Sequence, residues 1–355
     1  MASIQARKLV KNYGAFHAVK GIDFDIADGE FISILGPSGC GKSSTMRMIA
    51  GLESISGGTI EFNGKVVNDI SPSDRNVAMA FESYALYPTI SVFDNIAFPL
   101  RARSGLDETQ IKAKVHQIAE RMELIPLLAK KPGDLSSGQA QRTSLARALV
   151  RSPEVFLLDE PISHLDTAQR YRMRQLIQAI HREFRTTFIY VTHDQEEAMT
   201  LADRIIVMSH GEIQQIGTPS QVYNQPGNLF VAQFVGEPPI NFVPAVKAAG
   251  GVTVAGRRLP VGGAAAERLR GLPDGPVQMA VRPEHIAFAR HPGAGQIQAR
   301  HVVTEDIQDY RIVNVRLGDS MLAIVTYQSP PVAGDGTVDL RLNDDHVFFF
   351  AAETR

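Results

Sequence analysis

The sequence is poor in cysteine, in excess charge and in long apolar runs. Cys40 is the single cysteine among 355 residues, so no intrachain disulfide can form, which suits a reducing compartment. No stretch approaches about 18 uninterrupted apolar residues and the N-terminus lacks an apolar signal region, so we expect no secretory signal and no membrane-spanning segment. The formal net charge of -2 argues against a nucleic-acid-binding protein, because such proteins neutralise phosphates with an excess of basic residues.

The first part of the chain, residues 1–237, has the pattern of an α/β domain. Apolar runs of strand length such as FISILG, VFLLDE and TTFIYVTHD alternate with segments of helical period, which is typical of a mostly parallel sheet covered by helices. Ile111, Val115 and Ile118, for example, fit one face of an amphipathic helix. RIIVMSHGEIQQIG predicts two strands around a tight His210-Gly211 turn at the edge of the sheet.

The sequence pattern changes near Glu237 to Ile240, so we expect a second domain over residues 238–355. Segments of helical period end there, and turns with Gly or Pro recur at short intervals. Short apolar segments between such turns predict a small all-β barrel. The GGAAAE stretch at residues 262–267 is interpreted as a loop.

A phosphate-binding loop occupies residues 36–43, where G-P-S-G-C-G-K-S satisfies G-x-x-x-x-G-K-[ST] directly after a strand. Glycines let successive N–H groups converge on phosphate oxygens, and the following helix presents its positive end. Lys42 supplies charge to the terminal phosphates of ATP, and the Ser43 hydroxyl is placed to ligate Mg²⁺. The alternative, a Gly-rich turn with a surface lysine, is disfavoured by the flanking strand and helix. The nucleotide-contacting residues are predicted to be Gly36, Pro37, Ser38, Gly39, Cys40, Gly41, Lys42, Ser43 and Ser44.

Two acids end the apolar strand VFLLDE at residues 155–160. Burying acids there is costly unless a cation or a reaction uses them, so Asp159 is predicted to hold Mg²⁺ and Glu160 to act as general base toward the attacking water. The alternative is an acid that caps the next helix. His193 closes another predicted strand, where it could reach the γ-phosphate, although a structural histidine is equally compatible with its position.

The segment LSSGQAQRTSLARALVRSPEVFLLDEPISHLD, residues 135–166, resembles the signature-to-D-loop block of ABC ATPases. The similarity runs over about residues 4–240, and SYALYP and VTHDQEEAMTLADRI resemble the subfamily that energises bacterial carbohydrate uptake, typified by maltose-importer ATPases. VRPEHI at residues 281–286 resembles the motif of the TOBE domain. The resemblance implies a P-loop NTPase domain of the ABC type with a helical subdomain at about 88–150, followed by an OB-like TOBE domain that serves dimerisation or regulation.

The resemblance also assigns roles. Tyr13 would stack on adenine, and Asp166 would lie in the D-loop at a dimer seam. His193 would sense the γ-phosphate, as a catalytic residue beside Glu160 and Lys42. Signature residues of one chain would contact ATP bound to the other, so that two chains build each site. These signature residues are Ser136, Ser137, Gly138 and Gln139.

The implied partners are a second ATPase subunit, two integral-membrane permease subunits and, indirectly, a solute-binding protein, with no nucleic acid. The chain would act at the cytoplasmic face of the bacterial inner membrane, where residues 83–88 border a groove for a permease coupling helix. A sugar or polyol is the expected solute, and glycerol phosphate, polyamine or an inorganic anion is the alternative. A soluble ABC ATPase without a transport role is disfavoured, because the sequence has one cassette and no heptad array. A protein that binds ATP without turnover is disfavoured by Glu160.

Three residues depart from the usual ABC pattern. Glu82 stands where the family has the glutamine that joins Mg²⁺ and the attacking water to the permease, and a carboxylate can still ligate Mg²⁺. Ser137 replaces the first glycine of LSGGQ, and His164 replaces a common D-loop asparagine. The companion ATPase subunit is therefore expected to be either a second copy of this chain or, as the altered signature suggests, a different chain.

Overall fold

The computed structural model describes residues 2–81, 83–103, 105–248, 251–289 and 296–352. The chain divides into two compact units, Met1–Val222 and Tyr223–Arg355. The division falls before Glu237 because the segment that starts at Tyr223 packs with the second unit: Ala232 shares a buried cluster with Ile240, Ala280 and Phe348. Among the described residues, no helix combines the length and apolar character needed to cross a membrane.

In the described residues, the first unit contains ten strands in two sheets. They are β1 (Ile4–Tyr13), β2 (Phe16–Ile26), β3 (Phe31–Leu35), β4 (Gly57–Phe62), β5 (Lys65–Val66), β6 (Val77–Ala80), β7 (Val155–Asp159), β8 (Thr187–Thr192), β9 (Arg204–Ser209) and β10 (Glu212–Gly217). Strands β2-β1-β4-β5 form an antiparallel sheet, and β10-β9-β3-β8-β7-β6 form a sheet that is parallel except at β10.

The central parallel strands are buried over nearly their whole length, as expected for strands covered on both faces. Strand order places β3, β7 and β8 side by side, so the residues that follow them meet at one edge of the sheet. The β9–β10 hairpin turns at His210 and Gly211, both with positive φ, and forms the edge of the sheet as the sequence predicts.

Among the residues that the structure describes, seven helices belong to the first unit: α1 (Lys42–Ala50), α2 (Val92–Arg103), α3 (Glu108–Arg121), α4 (Ser137–Leu149), α5 (Thr167–Phe184), α6 (Gln195–Leu201) and α7 (Pro219–Asn224), the last of which runs across the division. Short 3₁₀ turns lie at Ile125–Leu127 and Pro132–Asp134. The stripe Ile111, Val115 and Ile118 is the buried face of α3, which packs on α2 and α4 in a helical layer. This layer agrees with the helical subdomain predicted at about residues 88–150.

The described part of the second unit contains α8 (Leu229–Phe234), α9 (Gly263–Arg270) and ten strands. The strands are β11 (Asn241–Ala248), β12 (Gly251–Val254), β13 (Arg257–Leu259), β14 (Gly275–Val281), β15 (Ile286–Phe288), β16 (Gln296–Ile307), β17 (Tyr310–Leu317), β18 (Ser320–Thr326), β19 (Thr337–Leu342) and β20 (Val347–Ala351). They pair in two five-stranded sheets, β13-β12-β11-β14-β20 and β15-β19-β16-β17-β18, whose apolar faces share one core. Further 3₁₀ turns lie at Pro283–His285 and Asp344–His346.

The prediction of a loop at GGAAAE is wrong, because α9 begins at Gly263 and continues to Arg270. Alanine has the highest intrinsic helix propensity, and Ala265 and Leu269, four residues apart, bury one face of this helix. The rest of the prediction for this part, an all-β domain, is confirmed.

Candidate nucleotide-binding site

The phosphate loop joins the end of β3 at Leu35 to the start of α1 at Lys42. Gly39 and Gly41 have φ of 77° and 103°, a region that residues with a Cβ rarely adopt. A Cβ at Gly36 would lie 2.3 Å from the Met208 carbonyl oxygen. Backbone crowding and backbone conformation thus require glycine at the spacing that the motif has.

Lys42 is the first residue of α1, and its side chain reaches back into the preceding loop. Its Nζ donates to the carbonyl oxygens of Gly36 at 2.8 Å and Pro37 at 2.9 Å, and the residue is 5% exposed. Cys40 is also buried, and burial raises the pKa of its thiol, whereas Ser38 and Gly39 are exposed. The lysine charge therefore lies at the inner side of a loop whose tip faces solvent.

Oxygen ligands meet where α1 begins and β7 ends. Ser43 Oγ donates to Asp159 Oδ1 at 3.3 Å. Mg²⁺ prefers such hard oxygen ligands at about 2.1 Å in octahedral geometry, in which neighbouring ligand oxygens are about 3 Å apart. The pair predicted from the sequence to bind the ion is thus brought together by the structure.

Glu160 and His193 face each other after β7 and β8. His193 Nδ1 and Glu160 Oε2 are 3.0 Å apart, and the Glu160 backbone N–H donates to the Val191 carbonyl at 2.9 Å. Glu160 has a φ of 43°, an uncommon conformation for a residue with a side chain and one that recurs at functional sites. A carboxylate and an imidazole beside Asp159 can hold and orient a water molecule.

Tyr13 ends β1 near the phosphate loop. Its hydroxyl lies 3.2 Å from Ser44 Oγ and donates to Glu53, and Lys11 Nζ lies 4.9 Å from its ring centre. The side chain is 45% exposed. It therefore offers an aromatic face to solvent beside the start of α1.

The signature residues form the first turn of α4. Ser136 is the N-cap: its Oγ accepts from the Gln139 N–H at 3.4 Å, and Gln139 Oε1 accepts from the Ser136 N–H at 3.0 Å. The Ser136 O–H remains available as a donor. In the part of the chain that the structure describes, none of the hydrogen bonds of Ser136, Ser137, Gly138 and Gln139 reach residues 36–44. Within the described ranges, the chain thus contains both elements without a hydrogen bond between them.

Asp166 is the N-cap of α5 and accepts from the Gln169 backbone N–H at 2.8 Å.

Glu82 lies outside the described residues. Of the segment that follows it, Tyr84 and Ala85 have left-handed φ of 60° and 46°, and Arg147 donates to both of their carbonyls. Burial lowers the pKa of Arg147.

Glu197 contributes to the site's framework and was missed by the sequence analysis. It is 3% exposed, and its Oε2 accepts from Tyr190 Oη at 2.9 Å and Thr192 Oγ1 at 2.7 Å. Thr192 Oγ1 in turn accepts from the Asp194 N–H at 2.9 Å. Glu197 therefore fixes the backbone on both sides of His193. The helix-start pattern D-x-x-E at residues 194–197 was the available signal.

Comparison with known proteins agrees with this geometry. A profile of the ABC transporter family matches residues 19–163. The chain is 44% identical over 363 residues to the sn-glycerol-3-phosphate import ATP-binding protein UgpC of Cupriavidus necator, with 100% of this chain and 98% of that protein covered. It is 45% identical to the sulfoquinovosyl glycerol transport ATP-binding protein SmoE of Agrobacterium fabrum, with 93% and 91% covered.

Solved structures show the same fold. The dimeric post-hydrolysis state of the ATP-binding cassette MJ0796, bound to ADP and Pi, matches with a TM-score of 0.56 at 28% identity, covering 61% of this chain and 98% of that one. CbiO1 from Clostridium perfringens, part of the ABC transporter complex cbiONQ, matches with a TM-score of 0.57 at 30% identity, covering 62% and 89%. The chain therefore belongs to the ABC transporter family, as an ATP-binding and ATP-hydrolysing subunit.

Proposed function

We propose that the chain hydrolyses ATP to energise an importer whose solute carries a polyol group, with a glycerol conjugate as the first candidate. The single observation that carries the ATPase part is the convergence of Lys42, the Ser43–Asp159 pair and the Glu160–His193 pair at one sheet edge. The solute follows from the relatives, which are named for sn-glycerol-3-phosphate and sulfoquinovosyl glycerol. Polyamine or inorganic anion uptake is the alternative, and ATPase activity of the assembled transporter with each solute discriminates between them.

The nucleotide would bind with its phosphates in the loop at residues 36–43. Backbone N–H groups of the loop and the start of α1 favour negative charge there. Lys42, held 2.8 to 2.9 Å from two loop carbonyls, would pair with the terminal phosphates. The exposed ring of Tyr13 next to Ser44 supports adenine stacking.

Mg²⁺ fits the donor set at the end of β7. Ser43 and Asp159 would hold it, and the ion when bound offsets negative charge on the phosphate oxygens. Glu160 would accept a proton from the attacking water as general base. His193, 3.0 Å from the carboxylate, would fix the position of Glu160 and donate to the γ-phosphate.

Two chains would be needed for one complete site. The signature turn of α4 makes no hydrogen bond to the phosphate loop of its own chain in the described ranges, while its capping geometry leaves the Ser136 O–H and helix N–H groups available for an anion. We therefore propose that the signature turn contacts the γ-phosphate bound by the second ATPase subunit and that Asp166 lies at the seam between the two subunits. The signature residues concerned are Ser136, Ser137, Gly138 and Gln139.

The chain would act at the cytoplasmic face of the bacterial cell membrane, where it would contact two integral-membrane permease subunits. Closure of the two ATPase subunits around ATP would move these permeases, and a solute-binding protein would deliver the solute. Residues 83–88 would border the groove for the coupling helix, where Arg147 supports the carbonyls of Tyr84 and Ala85. Glu82 would act there with Mg²⁺ in place of glutamine. Purified transporter containing only this ATPase subunit, at two copies, would remove the hypothesis of a different companion chain.

Replacing Glu160 by Gln tests the catalytic assignment. We expect phosphate release to fall by roughly 100-fold or more, because the general base is lost, while ATP binding is preserved. The measurement is Mg²⁺-dependent phosphate release together with nucleotide affinity. Glu120→Gln, an exposed acid on α3, is the charge-matched control and should retain activity within about twofold. Equal activity of Glu160→Gln and Glu120→Gln would refute the role of Glu160.

A further inference from the structure

Gln169, in the first turn of α5, lies between the D-loop and the signature turn. We propose that Gln169 is a positioning residue that locks Asp166 to the first turn of α4, so that the two elements meet the partner's nucleotide as one rigid unit. The inference rests on the proposed function, because it requires a composite site between two chains.

One end of Gln169 defines the position of Asp166. The Gln169 backbone N–H donates to Asp166 Oδ1 at 2.8 Å, and its side-chain Nε2 donates to Asp166 Oδ2. Both carboxylate oxygens are therefore engaged by one residue. The backbone hydrogen bond lowers the pKa of Asp166, so the D-loop carries a fixed negative charge.

The other end of the same amide reaches the signature turn. Ser137 Oγ donates to Gln169 Oε1 over a long 3.4 Å, although the two residues are 32 positions apart in sequence. The amide oxygen also lies over Gly138, where a Cβ would be only 2.5 Å from Oε1. The Ser137 hydroxyl that makes this bond is present because the chain has serine where the family signature usually has glycine.

A side-chain amide can make both connections, since it donates at one end and accepts at the other. A glutamate would place a second carboxylate against Asp166, and an apolar side chain would make neither bond. The hydrogen bond to Ser137 is long and adds little stability. The expected consequence of losing Gln169 is therefore a misplaced Asp166 and signature turn, not an unfolded protein.

The test compares Gln169→Met with Gln175→Met in the full chain. Gln175 is exposed six residues further along α5. Like Gln169, it lines a cleft beside Ser136 and Gly138, so it is the matched control. For Gln169→Met we expect kcat to fall about tenfold, because reacting groups are misplaced by a fraction of an ångström. KM for MgATP should stay within about twofold, because the phosphate loop is untouched, and the melting temperature should match that of Gln175→Met. Equal kcat in the two variants, or a fall in kcat with a parallel rise in KM, would overturn the proposal.

Ser137→Ala removes the donor of the Ser137–Gln169 hydrogen bond and leaves Gln169 in place. The single variant is therefore a test that does not depend on how Gln169→Met folds. We expect a smaller fall in kcat, about two- to threefold. When Ser137→Ala is added to Gln169→Met, the combined fall should be smaller than the product of the two separate falls, since coupled residues are not additive. Unchanged kcat in Ser137→Ala, or additive effects in the double variant, would contradict the proposal. Wild-type chain without Mg²⁺-dependent hydrolysis would instead refute the proposed function.

Discussion

Individual side chains at the sheet edge are held by contacts that restrict them before any ligand binds. Lys42 is held by loop carbonyls, Glu160 by a left-handed backbone and His193, and Asp159 by Ser43. Catalytic groups fixed in this way lose little entropy when the reaction begins. The same restriction extends to Glu197, whose buried carboxylate supports the backbone beside His193.

Glu197 gives a prediction about stability and pH. Burial raises the pKa of Glu197, and Asp194 adds to the rise, while hydrogen bonds from Thr192 and Tyr190 oppose it. Because the folded pKa is raised, the contribution of Glu197 to stability is full below its ordinary pKa of about 4.5 and is lost as pH rises through the folded value. Glu197→Gln keeps an acceptor oxygen for both hydroxyls and cannot ionise.

We therefore expect the melting temperature of Glu197→Gln, relative to wild type, to increase from about pH 5 to about pH 8. Thermal unfolding at the two pH values measures this difference, and Glu120→Gln should show none. A Glu197→Gln variant that loses more stability at the higher pH would show that the buried carboxylate is a favourable charge there.

The contacts that hold neighbouring elements in place differ between the two units of the chain. In the first unit, adjacent parallel strands bring Asp159, Glu160 and His193 together, so the sheet order itself assembles the site. In the second unit, Arg282 is 1% exposed and connects the end of β14 to the segment from Tyr223 to Val235. Its guanidinium donates to the Val235 and Tyr223 carbonyls and lies 3.9 Å from the Tyr223 ring centre.

Arg282→Met should destabilise the second unit by about 2–4 kcal/mol, because a buried hydrogen bond to Val235, a partly buried one to Tyr223 and the contact with the Tyr223 ring are all lost. Urea unfolding of the full chain followed by probes in each unit measures the effect. Arg257→Met, at an exposed arginine of β13, should change stability by no more than about 0.5 kcal/mol. Equal effects of the two substitutions would mean that Arg282 is not the connection inferred here.

Sequence patterns predicted the elements well where one physical cause dominates. The motif spacing placed the phosphate loop between β3 and α1, and apolar periodicity located the buried face of α3. Helix α9 was missed because turn-forming glycines precede a short alanine-rich stretch whose burial depends on tertiary packing. Gln169 and Glu197 were missed because their partners are set by packing between elements, as the 32-residue separation of Ser137 and Gln169 illustrates.

As a whole molecule, the chain contains a phosphate loop and a signature turn that its own hydrogen bonds do not join in the described residues. Under the proposed function these two elements are the halves of an ATP site. The relative UgpC is named as an import ATP-binding protein, and the cassette MJ0796 was solved as a dimer. Closure of two copies around ATP would bring the Gly36–Ser43 loop of one against the Leu135–Gln139 turn of the other. ATP would then act as part of the interface, and its hydrolysis would release the pair.

A structure of the Glu160→Gln chain with MgATP would show whether the phosphate loop of one chain and the signature turn of another bind the same nucleotide. We expect two copies, with the γ-phosphate at Lys42 of one chain within hydrogen-bonding distance of Ser136 and Gly138 of the other. A complex in which the nucleotide is bound but Ser136 and Gly138 of both copies lie on surfaces remote from it would contradict the account.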